Sequence, residues 1–257
     1  MDVRPKKHLG QHFLHDAQVA SRIVQSLAAA DAECVMEIGP GMGVLTARLY
    51  ERFGPRLWAT EVDAESVGYL RAHLPALTPQ LLNADFLKIN LKSITNGHLA
   101  IIGNLPYNIS SQIFFKILDS RQQVTEVVAM VQREVALRIA EPPGSRAYGI
   151  LSVLLQAYYT IDYLFTVGEG AFIPPPRVKS AVIRLVRNGE ERLDCHEPTF
   201  VRLVKAAFNQ RRKTLRNSLR SAFPDASVPD WLAQLRPEQL SVDDFVRLAR
   251  QLGPSER

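Results

Sequence analysis

The residues best placed to do chemistry sit at the ends of apolar runs. Val35-Met36-Glu37-Ile38 leads into Gly39-Pro40-Gly41-Met42-Gly43, the pattern of a strand entering a glycine-rich turn before a helix. Glycines such as Gly39 and Gly41 let a ligand approach the backbone closely, and the following helix offers free N–H groups. Glu61 ends the next apolar run, 22 residues beyond Gly39. Rossmann-like folds place there a carboxylate that accepts from ribose hydroxyls. Asp85 follows the third run and is placed to take a donor from the ligand's base. The turn lacks the G-x-G-x-x-G spacing that favours a pyrophosphate cofactor.

A second group follows the fourth apolar run, Ile101-Ile102-Gly103-Asn104-Leu105-Pro106-Tyr107-Asn108-Ile109-Ser110. Proline removes a backbone donor, so the carbonyls around it keep acceptor capacity. An exocyclic amine suits such a turn, donating one N–H to the Asn104 side-chain oxygen and the other to a carbonyl of Leu105 or Pro106. Tyr107 offers a flat face for a base. His8, His12 and His15 share helical spacing, but no carboxylate or cysteine completes a metal site, and none is predicted.

An alternation of short strands and helices must position these residues. The reading gives a helix over 19–29, strands over 34–38, 56–62, 80–83, 99–103 and 126–131, and helices over 44–52, 64–74, 110–118 and 134–140. An apolar helix after Gly149 precedes strands over 163–167 and 180–186. Beyond Asn188-Gly189 the pattern is helical only, so the domain boundary is placed at residue 188: a catalytic domain over 1–188 and a helical, RNA-binding one over 189–257.

Composition narrows the class. The chain has 257 residues, 46% hydrophobic and 22% charged, typical of a globular protein. No apolar run approaches the ~20 residues of a membrane span. The basic N-terminus lacks the apolar segment of a secretory signal. Cys34 and Cys195 form no C-x-x-C, so a reducing cytoplasm is expected. The net charge of +5 is unevenly spread: no acidic residue lies between Glu197 and Asp225, a stretch with seven basic ones. Arg4, Lys6 and Lys7 add to it. Such local excess points to a polyanion.

The motifs together resemble one family. Glu37-Ile38-Gly39-Pro40-Gly41, the Asn104–Ser110 turn, Leu9-Gly10-Gln11-His12-Phe13-Leu14, Phe172-Ile173-Pro174-Pro175-Pro176-Arg177-Val178 and Phe208-Asn209-Gln210-Arg211-Arg212-Lys213-Thr214-Leu215 resemble, in order, those of the ribosomal RNA adenine N6,N6-dimethyltransferases, most closely the bacterial small-subunit branch. The resemblance implies an α/β class I methyltransferase fold using S-adenosyl-L-methionine, with a seven-stranded sheet whose last strand is antiparallel and a small all-helical C-terminal domain. It implies that His12 and Leu14 border the cofactor, with Gly39 under its methionine end, Glu61 at the ribose, Asp85 at the adenine amine, and Asn104 between cofactor and target. Family members often carry asparagine where this chain has His12.

The implied reaction is dimethylation of two adjacent adenosines near the 3′ end of 16S ribosomal RNA, in a small subunit still being assembled. The target base leaves its stack to reach the pocket, with Tyr107 on one face and Phe172 on the other. Drawn as one helix, the tail places Arg212, Arg216 and Arg220 on a basic ridge, flanked by Arg211 and Lys213. Val204, Phe208, Leu215 and Leu219 then face the core. Such a ridge grips phosphate without reading bases. The alternatives are an assembly factor whose binding matters more than methylation, and a resistance-type methylase of large-subunit RNA, which the tail motif disfavours. A DNA N6-methylase usually presents Asp in place of Asn104. A monomer is expected.

Overall fold

The computed structural model describes residues 3, 5, 6, 10–224 and 227–253. Arg4, Lys7, His8, Leu9 and Asp225 lie outside the described residues. The chain forms two compact units, Met1–Ala136 with Ile161–Arg187, and Leu137–Thr160 with Asn188–Arg257.

Among the described residues there are nine strands: β1 (Phe13–Leu14), β2 (Cys34–Ile38), β3 (Leu57–Glu61), β4 (Leu81–Asn83), β5 (Leu99–Asn104), β6 (Val124–Gln132), β7 (Tyr159–Val167), β8 (Phe172–Ile173) and β9 (Ser180–Arg187). Seven form one sheet in the order β4-β3-β2-β5-β6-β9-β7. Pairings from β4 through β6 are parallel, and β9, the last of the described strands, lies antiparallel to β6. Val35 and Leu99 to Ile102 are fully buried, as expected where helices cover a parallel sheet. The order turns back at β2, with β3 on one side and β5 on the other. That switch point opens a crevice at the carboxyl ends of the strands.

Local chemistry sets the helices of this unit: α1 (Ala17–Ser26), α2 (Thr46–Phe53), α3 (Ala64–His73), α4 (Ser110–Asp119) and α5 (Arg133–Ala140), which runs on into the second unit. Asp16 caps α1 by accepting from the Gln18 and Val19 N–H groups at 2.9 and 3.0 Å, and Asp63 caps α3. Buried Ala20, Ile23 and Val24 of α1 join Leu49, Phe53, Val67 and Leu70 in the core beside the sheet.

The ribbon of β1 and β8, two residues each, is a feature the sequence did not announce. It pairs antiparallel, with Phe13 opposite Ile173 and Leu14 opposite Phe172. Strands this short and this far apart carry no periodic signal.

The second unit holds α6 (Ile150–Gln156), α7 (Glu197–Asn209), α8 (Leu215–Leu219), α9 (Asp230–Ala233) and α10 (Val242–Leu252). A single cut at residue 188 is therefore corrected, because Leu137–Thr160 belongs with the C-terminal helices. The reason is burial. Leu151 through Leu155 of α6 are all buried, so α6 needs cover around its circumference, and it packs on α7 and α10. Tyr148, fully buried, meets Phe208 edge-on at 6.2 Å, and Phe208 stacks on Phe245 at 6.0 Å.

The tail is not one helix. α7 stops at Asn209, a turn holds Gln210 to Thr214, and α8 restarts at Leu215, whose N–H donates to the Leu235 carbonyl at 2.7 Å. The break buries Val204, Leu215 and Leu219 while interrupting the ridge expected from Arg212 to Arg220.

Candidate active site

The first unit's crevice forms a narrow cleft with about 60 Å³ of enclosed space. It brings together Gly39 and Gly41 from the turn after β2, Glu61 from the end of β3, and Asn104 to Tyr107 from the end of β5. Gly10, Gln11, His12 and Phe13 close it from the N-terminal segment.

The glycine turn is shaped by Phe13. Gly41 has φ +55°, and a Cβ there would meet the Phe13 ring at 2.9 Å. Its N–H instead donates to Glu61 Oε2 at 3.1 Å. Glu61 is 5% exposed, and its Oε1 accepts from the Asp63 N–H at 2.9 Å. Burial pushes the Glu61 carboxyl up, while the two N–H donors hold it down, and burial wins. Each oxygen retains a lone pair for a ligand hydroxyl. The glycine cradle and the buried carboxylate at the switch point fit S-adenosylmethionine, whose ribose carries two such hydroxyls.

Beneath the turn lies Glu37, buried, with Oε2 unpartnered and its carboxyl pushed up to about 8 by burial, helped by the Glu61 charge. Asp63 links the site to the N-terminal segment. Lys6 pairs with it, and Gln11 Nε2 approaches its Oδ2 at 3.4 Å. Burial raises Asp63, but Lys6, Ser66 and the Glu65 N–H outweigh it and hold the carboxyl below its usual range.

At the other end, the Asn104 amide nitrogen donates to the His12 backbone carbonyl at 2.9 Å. A carbonyl only accepts, so the nitrogen must face it, leaving the Asn104 oxygen as an acceptor in the cleft. The Pro106 carbonyl already accepts the Ile109 N–H at 3.2 Å, which favours Leu105 for the second contact. The His12 ring stacks on Tyr107, centroids 5.5 Å apart, and its Nδ1 donates to the Pro174 carbonyl at 2.8 Å. The Tyr107 hydroxyl bonds the Ser180 hydroxyl, and burial raises its pKa.

Several expected site residues are not among those lining the cleft. Leu14 and Phe172 have buried side chains in the core, 6% and 2% exposed. Strand alternation turns them inward and leaves Phe13 in the cleft and Ile173 in solvent. Phe172 is not among the residues lining the cleft. Asp85, at the carboxyl end of β4, is half-buried and caps a short 3₁₀ turn through the Leu87 N–H at 3.0 Å. It is not among the residues lining the cleft. The His15 ring bonds the Gly170 carbonyl at 3.1 Å. No group of three or more histidine, cysteine or acidic residues that could hold a metal occurs among the described residues. Phe13, Gln11 and Val62 line the cleft without having been expected there. Phe13 sits inside the Gly10–Leu14 motif and was within reach of strand alternation.

In the tail, Arg211 donates to the Arg146 carbonyl and stands 4.0 Å from Glu238, and Arg216 pairs with Asp230 at 3.0 Å. Arg212, Lys213 and Arg220 are exposed.

The chain is similar to known proteins of one family. A family model described as ribosomal RNA adenine dimethylase matches residues 3–249. The ribosomal RNA small subunit methyltransferase A of Parabacteroides distasonis is 52% identical over 96% of this chain and 93% of its own. That of Flavobacterium johnsoniae is 49% identical, covering 97% and 96%. Among solved structures, a dimethyladenosine transferase from Plasmodium falciparum superposes with TM-score 0.76 at 21% identity, covering 92% of this chain and 96% of that one. The 23S rRNA methyltransferase ErmE superposes with TM-score 0.68 at 25% identity, covering 92% and 99%. With the family model matching residues 3–249 and relatives about half identical over nearly the whole chain, the chain belongs to the ribosomal RNA adenine dimethylase family of S-adenosylmethionine-dependent methyltransferases.

Proposed function

We propose that the chain dimethylates the N6 atoms of two adjacent adenosines in the 3′-terminal hairpin of 16S ribosomal RNA, within the immature small subunit. The observation that carries the chemistry is the Asn104 carboxamide, turned by the His12 carbonyl so that its oxygen accepts in the cleft. The adenine N6 lone pair is delocalised into its ring and is a poor nucleophile. Accepting one N6 hydrogen at Asn104 and the other at the Leu105 carbonyl draws the nitrogen towards a tetrahedral geometry and aims its lone pair. S-adenosylmethionine supplies, when bound, a methyl group already activated on a sulfonium. Positioning then does most of the work, and no strong general base is required.

Gly39, Gly41 and Glu61 hold the cofactor in this reading, with Asp85 at its adenine edge. The target base stacks on the face of Tyr107 that His12 leaves open. The helical unit contributes phosphate contacts through Arg212, Lys213 and Arg220. The small-subunit target is supported by the names of the relatives about half identical to this chain. No helix among the described residues is long and apolar enough to cross a membrane, and the protein is assigned to the cytoplasm as a monomer.

The test is labelled methyl transfer from S-adenosylmethionine into unmethylated small subunits, with large subunits and an Asn104→Ala protein in parallel. Dimethyladenosine in small subunits alone, dependent on Asn104, is the expected result. Label in large subunits alone would overturn the target, and binding without any transfer would leave an assembly factor.

A further inference from the structure

A second depression, all within the first unit, adjoins the cleft and shares Gly10, Gln11, His12 and Tyr107 with it. Its far side is built by Gln132, at the end of β6, and by the segment from Ile173 to Val178. Ile173 and Val178 are 58% and 45% exposed, two of the few large apolar side chains in solvent among the described residues.

Arg133 and Lys179 directly follow the lining residues Gln132 and Val178 in sequence. Gln132 and Ser180 form the last pair of the antiparallel β6–β9 ladder. One step further, the Arg133 N–H donates to the Lys179 carbonyl at 2.9 Å, so two cationic residues stand opposite each other across the strands. Arg177, two residues before Lys179, lines the depression. All three are exposed. Among the described residues, none of the three is paired with a carboxylate, unlike Lys6, Arg184, Arg216 and Arg250. Like charges facing each other across a ladder destabilise it unless an anion lies between them. Lys179 also precedes Ser180, whose hydroxyl bonds that of Tyr107. The cations are therefore tied through one residue to the aromatic ring assigned to the target base.

We propose that Arg133, Arg177 and Lys179 form a phosphate-binding rim for the RNA strand that carries the target adenosine, with Ile173 and Val178 beneath the neighbouring nucleotide. The inference rests on the function proposed above and adds to it a binding site on the catalytic unit itself. A base drawn out of its stack needs its own backbone held beside the pocket, and phosphate contacts fix register without reading sequence. The apolar pair gives the next base a surface to lie on in place of the stack it has lost.

The experiment compares wild type with an Arg133→Ala, Arg177→Ala, Lys179→Ala triple variant and an Arg133→Lys, Arg177→Lys double variant. Binding to unmethylated small subunits is measured by co-sedimentation across a salt series, alongside methyl transfer and S-adenosylmethionine affinity. Three lost contacts to a single strand should flatten the slope of log affinity against log salt by about 2. Subunit affinity at low salt should fall at least about tenfold, the cofactor's affinity should stay unchanged, and the lysine variant should keep the wild-type slope. An unchanged slope in the triple variant, or a slope lost equally in the lysine variant, would overturn the rim. Wild-type protein that binds small subunits without methylating them would overturn the reaction instead, because the slope is read from binding alone.

Discussion

The Asn104 side-chain nitrogen donates to the backbone carbonyl of His12 across 92 residues of sequence, at 2.9 Å. The Asn104 carboxamide, proposed above to present an acceptor to the substrate amine, is thus oriented by the N-terminal segment and not by its own strand. His12 is itself held by its Nδ1 bond to the Pro174 carbonyl and by its stack on Tyr107.

Asn104→Asp removes the donor to His12 and puts a carboxylate oxygen against a carbonyl. Methyl transfer should fall by about 10²-fold or more, the scale seen when one oriented polar group at a reacting centre is lost. Cofactor affinity, measured by calorimetry, should change little. A variant with near-normal turnover would remove Asn104 from the chemistry.

Glu61 accepts from two backbone donors and is the carboxylate proposed above to hold the cofactor. Glu61→Gln presents an N–H₂ to at least one of the N–H groups of Gly41 and Asp63 and removes a charged acceptor. Cofactor binding should weaken by about 1.5–3 kcal/mol, more than tenfold, with saturating turnover less affected. Equal affinity in the two proteins would take the carboxylate out of the binding site.

Glycine to alanine at two positions separates shape from backbone strain. Gly41 and Gly54 both have positive φ, but only at Gly41 would the new Cβ meet another side chain, the Phe13 ring at 2.9 Å. Gly54→Ala should cost about 1 kcal/mol of stability and leave catalysis alone. Gly41→Ala should cost that and also lower cofactor affinity, because Phe13 must move within the cleft. Thermal melts with and without cofactor check both.

Glu37 should make stability fall with rising pH. Burial lifts its carboxyl from an ordinary 4.5 to about 8, so the folded protein binds this proton more tightly than the unfolded chain. The resulting stabilisation is complete below the ordinary value and is lost as pH rises through about 8. The loss is on the order of 5 kcal/mol at its limit. Glu37→Gln, neutral throughout, should flatten the fall, seen as melting temperatures that converge in acid and favour the variant in alkali. Parallel curves would mean that the carboxylate is ionised and accommodated when folded.

The tail arginines should divide by what they touch. Arg211→Ala loses its bond to the Arg146 carbonyl and should lower melting temperature. Arg212→Ala and Arg220→Ala, at exposed positions, should leave melting unchanged and weaken binding to subunits. The same melting loss in all three would mean that the tail's charge serves the fold.

The order of strands and helices, the glycine turn, the Gly39-to-Glu61 spacing and the Asn104–Tyr107 segment were legible in the sequence. Each is a local signal: a run of apolar residues, a proline, a glycine, a fixed distance along one βα unit. Tertiary structure alone decided what depends on pairing distant segments. It joined β1 to β8, and that pairing turned Leu14 and Phe172 into the core and left Phe13 in the cleft. It gave Leu137–Thr160 to the helical unit, because an apolar helix states that it needs cover and not which neighbour supplies it. It broke the tail after Asn209, where neither proline nor glycine marks the stop and burial of Leu215 beside Leu235 sets the restart. It also set Arg133 opposite Lys179, 46 residues apart, a juxtaposition that only the register of an antiparallel ladder creates.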